Sequence, residues 1–202
     1  GELTLRMREL GGLVRIAGDM AKERKAPLVS RDDVLLARHT ARSLEQQISD
    51  EHIEALKRYE LFLNKGAAVG MVNGLAVLSN SNNMSEMSGM VMPLAAEVTP
   101  AQNKKGGRII ATGQLGEIAK EAVDNISAVI KKYTLTNLSD CDIHLQYVGA
   151  YNGVDGDSAS ITMATVIVSA MENIPIRQDL AMTGSLNVRG HVLPIGGVTA
   201  KL

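Results

Sequence analysis

A serine closes the acidic glycine turn of "VDGDSAS", Val154 to Ser160, and the chain then runs from Ile161 to Met171 without a charge. Asp157 and Ser158 are suited to cap the helix that this run predicts, because side-chain oxygens satisfy the unpaired N–H groups of a first turn. The Ser158 hydroxyl is equally a nucleophile, provided that a base takes its proton. Lysine can be that base when its amine is neutral, which requires desolvation strong enough to bring it well below the ordinary ~10.4. "VLPIGGVTAKL" carries the chain from an apolar strand through two glycines into a new helix, which puts Lys201 in an early turn among apolar neighbours. A solvent-facing helix lysine is the plainer reading of the same residue.

A histidine base is the competing arrangement. "GDSAS" approaches the G-x-S-x-G elbow, with Ser160 in place of the last glycine, and Asp179 and His191 follow in Ser–Asp–His order. The intervals leave no space for the strand–helix units that normally separate such residues. His191 in "RGHVLP" reads better as a strand-surface side chain.

Composition narrows the function classes. Lys and Arg number 21 against 22 Asp and Glu, for a formal net charge of -1, and no basic tract is interleaved with aromatics, so nucleic acid is not an expected partner. Phe62 and four tyrosines are the whole aromatic complement, which leaves the core to Leu, Ile, Val, Ala and ten Met. The single cysteine, Cys141, can form neither an internal disulfide nor a Cys-rich metal site, and points to a reducing compartment. The Ile161–Met171 run is far short of the ~20 residues that cross a bilayer. Gly-Glu-Leu at one end and Lys201-Leu202 at the other read as cuts in a longer protein, which would leave Lys201 frayed, solvated and protonated here.

The elements that must position these groups fall into two parts. Residues 1–65 are expected to be helical: one helix from Glu2 to Lys22, a second opened by a capping-box pair at Ser30 and Asp33, and a third ending near Gly66. After Gly66 the period shortens to strand-like runs "AAVGMVNGLAVL", "GMVMPLAAEVTP" and "RIIATG", expected as a meander. A helix over Gln114–Lys132, the strand "DIHLQYV", the helix after Ser158 and the short strands "DLAMTG", "LNVRG" and "HVLPI" follow. The order argues α+β rather than a doubly wound parallel sheet. "SNSNNMSEMSG", Ser79 to Gly89, is expected as a mobile hairpin loop, and "TPAQNKKGGR" as a solvated turn, since no G-x-x-x-x-G-K-[ST] frame occurs in the chain.

Taken in one order, "VNGLAV", "AEVTP", "ATGQLGEIAKEAV" and "GDSASITMATVIVSAMENIPIRQDLAMTGSLNVRGHVLPIGGVTAKL" resemble the proteolytic domain of Lon proteases, specifically the archaeal, LonB-type branch. "GELTLRMRELGGLVRIAGDMA" is similar to the closing helices of the AAA+ ATPase module that precedes it. The resemblance implies a division at residues 1–65 and 66–202, the second part incomplete at its C-terminus. It implies an ATP-dependent serine endopeptidase acting on unfolded or misfolded polypeptides, with Ser158 as nucleophile, Lys201 as general base, Thr183 close to that lysine, and Asp155 either shaping the site or serving as an N-terminal helix acid. No metal or cofactor is implied in this chain. ATP and magnesium are implied for the parent ATPase module, a homohexamer for the assembly, and a cytoplasm-facing protein anchored to the cell membrane by segments outside these residues. Arg6 or Arg8 would be the nucleotide-sensing arginine, and backbone N–H groups after Gly156 an oxyanion site. An extended substrate would pair beside "AAEVTP". The alternative is a non-catalytic Lon-like module for ring assembly or scaffolding.

Overall fold

A computed structural model describes residues 7–41, 44–58, 61–80, 83–102, 107–133, 140–150 and 153–201. Three helices come first: α1 (Met7–Glu23), α2 (Arg31–Thr40) and α3 (Leu44–Arg58). The capping box is present in full. Ser30 Oγ accepts from Asp33 N–H, and the Asp33 carboxylate accepts from Ser30 N–H at 2.8 Å. Asp33 also pairs with the Arg24 guanidinium, and these hydrogen bonds together hold its carboxyl below the usual carboxylate range. α1 lies against α2, with Ala17, Ala21 and Ala37 buried between them. α3 stops at Arg58, short of the end expected near Gly66, and Leu61 N–H returns to the Leu56 carbonyl. The "LFLNKG" segment is therefore not helical over its described residues. α3 rests on the sheet that follows, with Leu56 buried.

That sheet runs β4-β5-β3-β2-β7. Its strands are β2 (Met71–Asn80), β3 (Asn83–Pro100), β4 (Ile109–Thr112), β5 (Cys141–Tyr147) and β7 (Ala181–Met182). β2 and β3 form a long antiparallel hairpin, β3 pairs antiparallel with β5, and both edges are parallel, β4 with β5 and β7 with β2. The mixed helix-and-sheet class thus holds, but the expected meander does not. β4 fails to pair with β3 because β5 occupies that edge, joined to β4 through α4 (Glu117–Tyr133), as a parallel pair requires a crossover.

The stretch Ser79–Gly89 is not a loop over its described residues: Ser79 and Asn80 end β2 and Asn83–Gly89 open β3, with Asn80 opposite Asn83, Ser79 opposite Met87 and a register shift between these two pairs. Cross-strand pairing overrides the weak strand preference of Asn and Ser. Two short pairs complete the fold: β1 (Ala67–Ala68) with β6 (Ile176–Arg177), and β8 (Ser185–Leu186) with β9 (Val192–Leu193). β6 has no counterpart in the sequence reading, since two residues carry no period.

The core lies where α4 and α5 (Ser160–Glu172) cover alternate residues of the sheet. Ala122, Ile126 and Ile130 of α4 and Met163, Val166 and Ile167 of α5 meet Val72, Leu94, Ile143 and Leu145. Burying a side chain of this size contributes about 1.5–3 kcal/mol. The cluster therefore fixes where α5 begins, and with it the turn that carries Ser158.

Candidate active site

α5 opens at Ser160 behind the N-cap Ala159, and no side chain caps its first turn. Ser158 is thus not the helix cap that its neighbourhood also allowed. Its carbonyl accepts from Gly184 N–H at 2.7 Å and from Thr183 Oγ1 at 3.1 Å, while Ile161 N–H donates to the Gly184 carbonyl at 3.1 Å. These three bonds tie the start of α5 to the segment between β7 and β8. Ser160 is buried and donates its hydroxyl to the Asp157 carbonyl, tightening the same turn.

The Ser158 hydroxyl faces Lys201, on the short helix α6 (Val198–Lys201). Lys201 Nζ stands 3.0 Å from Ser158 Oγ and 2.8 Å from Thr183 Oγ1. Lys201 is 7 % exposed, so the expectation of a frayed and solvated lysine is overturned: α6 packs on β3 and β2 and buries it within these residues alone. That burial lowers the amine's pKa below its ordinary value, and the negative charge of Asp157 acts in the opposite direction. Asp157 in turn accepts from Ser185 Oγ at 2.6 Å.

The hydrogen count in this cluster decides its chemistry. Thr183 has one hydroxyl hydrogen, and its bond to the Ser158 carbonyl uses it, so toward Lys201 its oxygen accepts. A neutral amine has two hydrogens and one lone pair. With one hydrogen directed at Thr183, its lone pair can accept the Ser158 hydroxyl proton; an ammonium in the same place offers no acceptor.

Asp155 serves a different element. Its Oδ1 accepts from Gly156 N–H at 2.8 Å and from Ala119 N–H at 3.2 Å, and Ala119 is the third residue of α4. The carboxylate thus caps α4 from a distant loop, where the helix dipole also favours it. Gly116 makes room, since a Cβ there would lie 2.3 Å from Asp155 Cγ. The loop is also bonded to the residue that precedes α4, through Gly116 N–H to the Val154 carbonyl at 2.9 Å.

An apolar groove leads up to Ser158, lined by Leu75, Val77, Met90, Met92 and the 153–156 loop. β2 has an open edge here among the described residues, since β7 pairs with it only at Asn73 and Gly74. Within "AAEVTP", Ala95 pairs with Met71 on one side and Gln146 on the other, whereas Glu97–Pro100 pair with β5 alone among the described residues.

The histidine arrangement is not assembled. Asp179 is paired with Arg177 at 2.6 Å, and among the described residues no hydrogen bond joins His191 to Asp179 or Ser158. No three His, Cys, Asp or Glu side chains converge on a metal-sized site among the described residues. Arg8 is exposed on α1, and Arg6 lies outside the described residues. Asp157, read from the sequence only as a helix cap, is the charge that acts on Lys201; its adjacency to Ser158 was the available signal.

A family profile, the Lon protease (S16) C-terminal proteolytic domain, matches residues 45–202. The chain belongs to this Lon family. A protein of Thermoplasma acidophilum named archaeal Lon protease is 59 % identical over 201 residues, covering 100 % of this chain and 31 % of its own length. One of the same name from Methanothermobacter thermautotrophicus is 56 % identical over 200 residues, covering 99 % of the chain and 30 % of its length. A third, from Methanocaldococcus jannaschii, is 29 % identical over 237 residues, with 100 % and 35 % covered. The chain therefore spans about a third of the length of these relatives. The Lon match begins within α3 and takes in Asp155, Ser158, Thr183 and Lys201. α1 and α2 precede the matched Lon residues. Among the described residues no helix is long and apolar enough to cross a membrane.

Proposed function

We propose that this chain supplies the proteolytic part of an ATP-dependent serine endopeptidase in which Ser158 is the nucleophile and Lys201 the general base. The observation that carries the reading is the 3.0 Å contact between a buried lysine amine and the Ser158 hydroxyl. Lys201 takes the Ser158 proton as Oγ attacks the peptide carbonyl carbon, and the resulting ammonium returns that proton to the departing amine. Water then attacks the acyl-enzyme, with Lys201 again the base, and releases the carboxylate. Thr183 orients the amine so that its lone pair meets Ser158.

Among the described residues none accepts from the N–H groups of Ser158 and Ala159, at the positive end of α5. They are the donors proposed for the developing oxyanion, an arrangement worth about 2.7–4 kcal/mol per donor. An extended polypeptide would lie along the open edge of β2, its side chains entering the groove of Leu75, Val77 and Met92.

For the parent protein the reading follows the archaeal, LonB-type Lon proteases. Residues 1–65 are the helical end of an AAA+ module and 66–202 the proteolytic domain. ATP and magnesium bind in the module's remainder, the protein assembles as a homohexamer, and it faces the cytoplasm from an anchor outside these residues. Unfolded polypeptides are the proposed substrates.

The test is Ser158→Ala in the full-length protein, assayed on a fluorogenic peptide and on casein beside a serine-reactive covalent probe. Peptide cleavage and labelling should vanish while ATP hydrolysis persists. Cleavage at the parental rate would remove Ser158 from the mechanism.

A further inference from the structure

We infer that Gly89 is a positioning residue for Lys201: it is the seat on β3 against which the α6 backbone is held. This inference rests on the reading of Lys201 as the base. Gly89 stands in register with Val77 of β2, inside a strand, and its backbone is not in the left-handed region that favours glycine. Alanine would suit such a strand position. What glycine permits there is a close approach. A Cβ at Gly89 would lie 2.0 Å from the Ala200 carbonyl oxygen, 2.9 Å from its carbon and 3.0 Å from Lys201 Cα, all of them backbone atoms of α6.

No flexible side chain can yield to relieve that overlap. Ordinary contact begins at 3.4 Å, so the Ala200 carbonyl would have to retreat by about 1.4 Å, carrying Lys201 with it. The amine that now lies 3.0 Å from Ser158 and 2.8 Å from Thr183 would lose its alignment with both, and water would reach it as α6 lifts from the strands. Gly89 thus acts through the backbone of α6 on two requirements of the base, its distance from the hydroxyl and its burial. The charged group acting on Lys201 is Asp157; β2 carries no ionisable residue, and β3 carries Glu86 and Glu97.

The experiment compares Gly89→Ala with Gly196→Ala in the full-length protein. A Cβ at Gly196 meets nothing within 4 Å and its backbone is ordinary, although it precedes the same helix. Gly196→Ala should match the parent. Gly89→Ala should melt cooperatively, yet lose about 100-fold in kcat/KM near neutral pH, the scale of an ångström-sized misplacement. The acid limb of its pH profile should move to higher pH, as a better-hydrated lysine gives up its proton later. A parental rate, a lower rate on an unmoved limb, or loss of cooperative melting would each overturn the inference, the last because the damage would then lie in the sheet. Ser158→Ala is assayed in parallel. If it is inert while Gly89→Ala is parental, the role of Gly89 fails and the Ser–Lys reading stands; if Ser158→Ala cleaves at the parental rate, the Ser–Lys reading fails first.

Discussion

Lys201 Nζ and Ser158 Oγ lie 3.0 Å apart although 43 residues separate them in the chain. An arginine at 201 keeps a positive charge but cannot surrender its proton in a protein, and so cannot accept one from Ser158. Lys201→Arg should lower peptide hydrolysis by about 10²–10⁴-fold, the usual contribution of a general base, at every pH from about 6 to 10. Initial rates on a fluorogenic peptide across that range check it, and robust cleavage at high pH would exclude lysine as the base.

Asp157 opposes the burial that lowers the Lys201 pKa. Removing its charge leaves burial unopposed, so the pKa falls further and the neutral amine appears at lower pH. In Asp157→Asn the rising limb of kcat/KM should therefore shift toward lower pH, while Ser185 keeps an acceptor in the amide oxygen. A limb that moves upward, or stays in place, would show that the charge does not reach the amine.

Thr183 accepts from Lys201 at 2.8 Å and donates to the Ser158 carbonyl at 3.1 Å. Thr183→Val keeps the shape and removes both bonds. It should reduce kcat roughly tenfold with KM little changed, as expected when an oriented hydrogen bond worth about 1–1.5 kcal/mol is lost. Thr183→Ser, which retains the oxygen, should recover most of the rate; steady-state kinetics of the pair separate lost orientation from lost packing.

Asp155 joins the 153–156 loop to the first turn of α4 through Ala119 N–H. Asp155→Ala should cost about 1 kcal/mol of stability, the usual scale for an N-capping oxygen, read as a lower urea midpoint at unchanged slope. Gly116→Ala should destabilise as well, because its new methyl would occupy the place of the Asp155 carboxyl group.

Much of the fold was legible because its determinants are local. The Ser30–Asp33 capping box lies within one turn, and the apolar stripe of α4 recurs at helical spacing, with Ala119, Ala122, Ile126 and Ile130 all buried. Ile118, an apolar residue of the same helix, is 52 % exposed, since periodicity ranks residue types and does not see which neighbours arrive. Ser79–Gly89 shows the limit more plainly. Its Asn and Ser residues have the composition of a loop, yet most of the stretch is strand, because β2 offers pairing that no local preference reveals.

The candidate site divides along the same line. Ser158 after a glycine turn and Lys201 after "PIGG" were identifiable from residue type, setting and family resemblance. That their side chains meet, that Thr183 bonds both the Lys201 amine and the Ser158 carbonyl, that Asp155 serves α4 rather than α5, and that Gly89 seats α6 were matters for tertiary structure. Residue type and spacing report the partition of side chains between water and core over a few turns. Bringing a base within 3.0 Å of a hydroxyl depends on which strands pair and how closely two backbones approach, and those distances exist only once the chain has closed on itself.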